Sequence, residues 1–405
     1  MLNEKTRYRN LLIDLAWLLI VLAICYACFN LFSWMIINRD GNYRADITAY
    51  INYALDGDNR KHRLVLVLFR FLYGITGTDL MIRVYLAAEI GLIIFTNYFY
   101  IKDYSGADAE NSFNRLLMRA FSLALIFSGP IYVLKIHRHF YKDTFPVFAW
   151  HSPTQQMMTL FSLAGMLFFC RVIANYEKEI KISDCLIAAV CFMLSAYSKP
   201  SFIIDLVPAI IVLFLIELFR SGTDGMWQRF KKLFIMGMFV VPSGIYLIVL
   251  NYIIYARSDR KGDSDIIVNA SRFNGIVPLI IAVACSITLP LIVLLFNMKK
   301  IRTDRRFLLS WLTALMGLLQ WGLLSETGSR ASHGNFTWGS TIGGYILYAT
   351  SLAVVMENIN DENFLSGRKQ MKGLYYLLLA GSLGLSVASQ VYYFCTMYRG
   401  AGFWR

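Results

Sequence analysis

Asp46 is the residue whose type and position best suit acid–base chemistry in this sequence. It follows a long apolar run and precedes Tyr50 and Ala54 at helical spacing, while Ile47 and Ile51 mark the apolar face of an amphipathic helix. A carboxylate at the start of such a helix is stabilised by backbone N–H groups, by about 1 kcal/mol. The position therefore indicates either a helix cap or a general base at the boundary between membrane and water.

Two further carboxylates, Asp56 and Asp58, flank Gly57 shortly after this predicted helix. Residues of these types at this spacing favour a turn, although two carboxylates so close could also hold a divalent cation. The seven cysteines lie in or beside apolar runs and show neither zinc-ligand nor disulfide spacing. The sequence thus assigns no cofactor and leaves a divalent cation open.

Histidine, basic and aromatic residues concentrate in a second segment that contains His137, Arg138, Trp150 and His151. Histidine can transfer protons or hydrogen-bond to phosphate near neutral pH, and arginine binds phosphate oxygens with two parallel hydrogen bonds. Aromatic rings pack against sugars, lipid or cations. The segment indicates either a site for a lipid-linked phosphate or an ordinary aromatic belt at the membrane interface.

Cations also mark two later breaks between apolar runs. Lys199 stands beside Pro200, where a broken helix would expose backbone donors to a phosphate; the same lysine could simply extend to the interface. Glu326, Arg330 and His333 lie in a polar, glycine-containing segment. That segment indicates a binding surface or a solvated loop with an ion pair between Glu326 and Arg330.

The composition requires a membrane to position these residues. The 405 residues are 57% hydrophobic and 16% charged, against the roughly 25% charged residues of soluble proteins. Apolar residues come in runs of about 20, the length that crosses a bilayer as a helix. Soluble enzymes, nucleic-acid-binding proteins and secreted disulfide scaffolds are therefore excluded, and membrane lipid is an expected partner.

The apolar runs predict an all-α, polytopic membrane protein with about eleven transmembrane helices. The predicted spans cover residues 11–37, 80–100, 115–134, 154–173, 184–198, 202–219, 232–254, 276–297, 308–324, 339–356 and 373–396. Lysine and arginine in the short loops place the N-terminus in the cytoplasm. With that orientation all five histidines fall on the outer side of a plasma membrane.

The whole chain, residues 1–405, reads as one transmembrane domain. Residues 38–79 form the first outer loop, within which 63–76 is apolar but too short to span and predicts a second interfacial helix. Outer loops at 135–153 and 325–338 are expected to contribute to the same site. No segment indicates nucleic-acid binding.

This layout resembles the polytopic GT-C glycosyltransferases, which take a sugar from a polyprenyl-phosphate carrier at the outer face of a membrane. Asp46, Tyr50 and Ala54 match the family's acidic residue, tyrosine and alanine after the first span, and 63–76 looks like its second interfacial helix. Ile47 stands where many members carry a second acidic residue. Short segments similar to those of bacterial membrane proteins of this type lie at 150–154, 198–202 and 332–336.

The resemblance implies inverting transfer of a sugar from a polyprenyl-phosphate donor to a glycan or lipid-linked acceptor, with Asp46 as the base. Residues expected to bind the donor phosphate or the substrate are Arg138, Lys199, Arg330, His333, His151, His137 and Tyr50. Two other functions stay open. A lipid-linked polysaccharide polymerase would also need cationic outer loops, and a lipid-linked sugar flippase would need a charged path through the bilayer.

Overall fold

The computed structural model is all-α, apart from one pair of short strands. It describes residues 4–38, 46–57, 63–133, 148–220, 225–252, 266–268, 276–328 and 336–398. The elements are α1 (Glu4–Ile37), α2 (Asp46–Leu55), α3 (Arg63–Thr76), α4 (Leu80–Ser105), α5 (Ser112–Ile126), α6 (Pro153–Asn175), α7 (Ile182–Ser198), α8 (Ser201–Leu218), α9 (Met226–Met238), α10 (Val241–Asn251), β1 (Ile266–Val268), α11 (Ile276–Phe296), α12 (Lys300–Thr303), α13 (Arg305–Leu323), β2 (Leu324–Glu326), α14 (Thr337–Asn360) and α15 (Lys369–Tyr398).

Several of these helices are long and apolar enough to cross a membrane. Within the described ranges there are seven, or eight if the bent pair α9 and α10 counts as one span. The seven are α1, α4, α6, α8, α11, α14 and α15. The multi-pass, all-α character predicted from the sequence is confirmed, whereas the predicted count of about eleven spans is not.

Three predicted spans account for the difference. The helices α5 and α7 are only 15 and 17 residues long, below the roughly 20 residues that cross a bilayer without tilt or thinning. The helix α13 has 19 residues, but it begins with two arginines and includes the polar Gln320. The apolar run predicted over 115–134 loses its helical form after Ile126.

The helix α14 forms the centre of the bundle. Every residue of its most apolar 18-residue window is buried by other parts of the chain. Small residues allow its close contact with α13: a Cβ placed on Gly317 would lie 2.8 Å from the backbone of Ser340, and one on Gly343 would lie 3.0 Å from the Cα of Ala314. Small residues at helix contacts let two backbones approach closely in a membrane.

One end of the bundle is held together by ion pairs, and we call it the basic end. Glu217, at the end of α8, is 1% exposed, and its carboxylate accepts from Arg305 Nε at 2.6 Å and from the Tyr176 hydroxyl at 2.9 Å. Asp304 caps α13 by accepting from the Arg306 backbone N–H at 2.9 Å. Its hydrogen bonds and pairing with Arg306 lower the pKa of Asp304 in spite of its burial.

The opposite end of the bundle, which we call the site end, carries Asp46, His151 and Lys199. The helices α6, α8 and α14 begin there, and α15 ends there, since the Tyr393 hydroxyl contacts His151. Strands β1 and β2 pair antiparallel, with Ile267 opposite Ser325. Breaks between helices thus bring polar side chains from distant parts of the sequence to one place.

Candidate functional site

The short helix α2 positions Asp46 at its first residue. Ile47, Ile51 and Ala54 are all buried, so the amphipathic helix predicted from their spacing is confirmed. The free backbone N–H groups of a first helical turn favour a carboxylate at this position. The chain therefore presents an anion at the start of α2, with the apolar face of the helix fixed against the bundle.

The helix α3 supports α2 from one side. Its bounds, Arg63–Thr76, are those predicted from the sequence. The Arg70 guanidinium donates from Nε to the carbonyl oxygen of Ala54 at 2.9 Å, which fixes the last turn of α2. Val67, Phe71 and Ile75 form an exposed apolar stripe at i, i+4 spacing on the other face of α3. Such a stripe suits a helix lying in the membrane interface.

Asp46 shares its surroundings with His151 and Lys199, although these residues are 105 and 153 positions away in the chain. The Asp46 carboxylate acts electrostatically on both side chains, and it opposes the loss of their protons. Lys199 in turn acts on His151, since the charge of the lysine lowers the pKa of the histidine. One carboxylate and two nitrogen bases therefore form a single electrostatic group at the site end.

Lys199 occupies the break between α7 and α8 and is only 7% exposed. Its Nζ lies 3.1 Å from the centre of the Trp338 ring, at the start of α14, in a cation–π contact. Burial lowers the pKa of Lys199 to about 7, and the Asp46 carboxylate limits that decrease. Lys199 is thus a buried amine that gives up its proton far more readily than an exposed lysine does.

His151 precedes the first turn of α6 and is also buried. Its Nδ1 lies 3.3 Å from the Tyr393 hydroxyl, and its ring lies 5.9 Å from that of Trp338. Burial lowers the pKa of His151 to about 4, because desolvation and Lys199 outweigh the attraction of Asp46. The imidazole is therefore neutral at pH 7 and can both donate and accept a hydrogen bond.

Tyr50 connects α2 to the start of α6. Its hydroxyl hydrogen-bonds to Thr154, and burial together with the Asp46 charge raises its pKa. Tyr50 therefore stays a neutral phenol and acts as a hydrogen-bonding group one turn along from Asp46. The Ser152–Pro153–Thr154 sequence begins α6, with Pro153 at its first residue.

The structure brings together four of the residues predicted for the site: Asp46, Tyr50, His151 and Lys199. The other predicted binding residues, His137, Arg138, Arg330 and His333, lie outside the described residues and stay predictions, as does Asp58. Asp56 lies in the turn that follows α2, where Gly57 has a φ of +79°. Among the described residues, no three His, Cys, Asp or Glu side chains lie close enough to hold a metal ion together.

Two further residues of this site, Trp338 and Tyr393, did not stand out in the sequence. Both lie at ends of helices near the membrane boundary, where aromatic residues are common, so their type alone carries no signal. The pairing of Trp338 with Lys199 depends on the contact between α8 and α14, which local sequence patterns do not reveal. Neither a protein-family model nor a curated protein matches this sequence.

Proposed function

We propose that this chain is a GT-C-type membrane glycosyltransferase. It transfers a sugar from a polyprenyl-phosphate donor to a glycan or lipid-linked acceptor at the outer face of the plasma membrane, with inversion at the anomeric carbon. The observation that carries the proposal is the grouping of Asp46 with Lys199 and His151 at the site end. A reaction of this class needs a base and a phosphate-binding cation within one substrate length.

Asp46 is the proposed general base. Its carboxylate takes the proton of the acceptor hydroxyl while that oxygen attacks the anomeric carbon of the donor sugar. The bond between the anomeric carbon and the phosphate oxygen breaks, and the lipid phosphate leaves with the electron pair. Because attack and departure occur on opposite faces of the sugar, one displacement inverts the configuration.

Lys199 is the proposed ligand of the departing phosphate. A phosphate beside the buried amine favours its protonated form, so the proton that Lys199 holds only part of the time becomes fixed when the donor binds. Negative charge grows on the phosphate in the transition state, and a preorganised cation in a dry site stabilises that charge. The neutral His151 donates a hydrogen bond to the same phosphate, with its other ring nitrogen at the Tyr393 hydroxyl.

A bundle of about eleven spans completes the proposal, with α5, α7 and α13 as short or tilted crossings. Of these helices, α7 carries Asp184 in its first turn and ends directly before Lys199, and the Ser195 hydroxyl lies 2.8 Å from that of Ser162 in α6. With the basic end in the cytoplasm, as the positive-inside rule favours, the N-terminus is cytoplasmic and Asp46 is extracytoplasmic.

The substitution Asp46→Asn tests the base. We expect the purified variant to lose at least about 100-fold in transfer from a polyprenyl-phosphate sugar, the usual scale of acid–base catalysis, while its melting temperature stays near that of the wild type. Asp361→Asn serves as the matched control, since Asp361 is an exposed carboxylate that follows the last residue of α14, far from the site end. Wild-type transfer by a folded Asp46→Asn protein would disprove the assignment. Loss of activity in EDTA would establish a cation.

Product analysis separates this function from its two alternatives. A single added sugar identifies a transferase, and extended chains identify a lipid-linked polysaccharide polymerase. Movement of the lipid-linked sugar across the membrane without a new glycosidic bond identifies a flippase.

A further inference from the structure

Buried polar atoms without a hydrogen-bond partner are concentrated beside the site. Six of the thirteen such side-chain atoms found in the described residues belong to four residues, Trp150, Gln155, Gln156 and Gln390. All four side chains are fully buried. In Gln155 and Gln390 both amide atoms lack partners, so the shortage does not depend on which end of the amide is the nitrogen.

Gln155 lies in the first turn of α6, at the end of the helix that adjoins the break after α7. It shares one face of α6 with Ser162, seven residues further along the helix. The Ser162 hydroxyl lies 2.8 Å from that of Ser195 in the antiparallel α7, and the backbone N–H of Lys199 donates to the carbonyl of Ser195 at 2.8 Å. At about 1.5 Å of rise per residue, Gln155 on α6 reaches the break that follows α7. Its amide thus lies on the face of α6 that packs against α7, near the end of α7 that precedes Lys199.

The other three residues lie where α15 packs against the residues that precede α6, next to His151. The Gln156 amide nitrogen donates to the Trp150 carbonyl at 2.8 Å, which leaves the Gln156 amide oxygen without a partner. The Trp150 ring centre lies 5.0 Å from that of Phe394, one turn beyond Gln390 on α15. The group therefore contains two amide oxygens, one amide nitrogen and the indole N–H, none with a protein partner in the described residues.

The chemistry of these atoms selects a ligand. Amide oxygens accept hydrogen bonds and need donors, which neither a deprotonated phosphate nor a lipid tail supplies. Sugar hydroxyls both donate and accept, and so they match a set that contains amide oxygens, amide nitrogens and an indole N–H. A buried amide without a partner destabilises the protein by about 1–3 kcal/mol, so a ligand that satisfies it binds with a corresponding advantage.

We propose that Gln155, Gln156, Gln390 and the Trp150 indole form a subsite that recognises the hydroxyl groups of the donor sugar beside Asp46 and Lys199. The inference rests on the proposed glycosyltransferase function and adds to it the side chains that select the sugar. The lipid phosphate is bound by Lys199, and the sugar ring lies against the amides around His151.

Equilibrium binding of lipids to the full chain in nanodiscs tests the subsite with two kinds of probe. The first is a polyprenyl monophosphate without a sugar. The second is a set of the same lipid carrying different single hexoses or pentoses. We expect Gln155→Met to bind the preferred sugar-bearing lipid about tenfold more weakly, the scale of one hydrogen bond, and the sugar-free lipid within about twofold of wild type. Without ligand, Gln155→Met should melt at a higher temperature, because an unpartnered amide has been removed.

A control variant and a second glutamine variant complete the test of the subsite. Thr159→Val, one turn along α6, alters a hydroxyl that already bonds to the Gln155 carbonyl at 2.8 Å, and it should bind both kinds of lipid as the wild type does. Gln390→Met provides a second, independent variant and should repeat the selective loss. Equal losses on both lipids, or no loss on either, in both glutamine variants would overturn the subsite.

The same experiment distinguishes failure of the subsite from failure of the proposed function. If the wild type binds both lipids equally and Lys199→Met binds neither, phosphate recognition stands and the sugar subsite is wrong. If the wild type binds neither lipid, the proposed function fails, and the subsite fails with it.

Discussion

Lys199 provides the sharpest test of the site. A buried cation that serves to bind phosphate should lower the stability of the folded protein. Its pKa lies at about 7 instead of 10.5, and at 1.36 kcal/mol for each pH unit this difference corresponds to a penalty of about 5 kcal/mol. The cation–π contact with Trp338 offsets about 2 kcal/mol of that penalty. Replacing Lys199 by the apolar Met of similar length should therefore raise the free energy of unfolding by about 3 kcal/mol at pH 7.

The pH dependence of the stability provides an independent test of the same prediction. Between pH 7 and 10.5 the unfolded lysine keeps its proton while the folded one loses it, so the unfolded state binds more protons. Wild-type stability should consequently rise with pH across this range, and Lys199→Met should lose that part of the slope. Donor binding has the opposite dependence, because the phosphate needs the protonated lysine, and it should weaken above about pH 7.

Thermal unfolding in detergent from pH 6 to 10 measures both effects. Lys369→Met is the matched control, since Lys369 is an exposed lysine at the basic end of α15 and should change neither the melting temperature at pH 7 nor its slope. A Lys199→Met protein that melts below the wild type at pH 7, or that keeps the wild-type slope, would refute the reasoning about burial.

Two predictions concern the scaffold. Gly317→Ala should lower the free energy of unfolding by about 1–3 kcal/mol, because its Cβ would lie 2.8 Å from the Ser340 backbone, whereas Gly322→Ala on the same helix meets no atom within 4 Å and should be tolerated. Equal melting temperatures of the two variants would contradict the close packing of α13 on α14. Glu217→Gln should lower the free energy of unfolding by about 1–3 kcal/mol, because Arg305 loses one of its two carboxylate partners and keeps Glu177, and it should leave the affinity for a polyprenyl phosphate unchanged. A change in that affinity without a change in melting temperature would show coupling between the two ends.

The sequence predicted those parts of the fold that local periodicity determines. The apolar runs identified the long spans, the helical spacing of apolar residues indicated α2, and a shorter apolar run indicated the bounds of α3. The count of spans is less accessible, because a helix such as α7, with 17 residues, can cross only if the bundle or the membrane adjusts around it. The hydropathy of a helix depends only on its own residues, whereas its ability to cross the membrane also depends on the helices and lipid around it.

The sequence predicted the charged residues of the site but not the side chains that surround them. Asp46 stood out at the start of a predicted amphipathic helix and Lys199 beside Pro200 at a break between apolar runs, and the structure brings the two within electrostatic reach of each other. The contact of Lys199 with Trp338 and the unpartnered amide of Gln155 depend on how distant helices pack. A glutamine in an apolar run gives no sign of whether its amide has found a partner.

The burial of α14 has a consequence for how the protein is made. Its mean hydropathy of 1.3 is the lowest among the seven long spans, and its whole apolar window faces protein instead of lipid. A segment of this composition gains little by partitioning into hydrocarbon alone, so its membrane insertion should depend on neighbours that are already in place. The start of α14 carries Trp338 to Lys199. The group of polar residues around Asp46 should therefore assemble late in biogenesis, after the surrounding helices have inserted and separate α14 from the lipid.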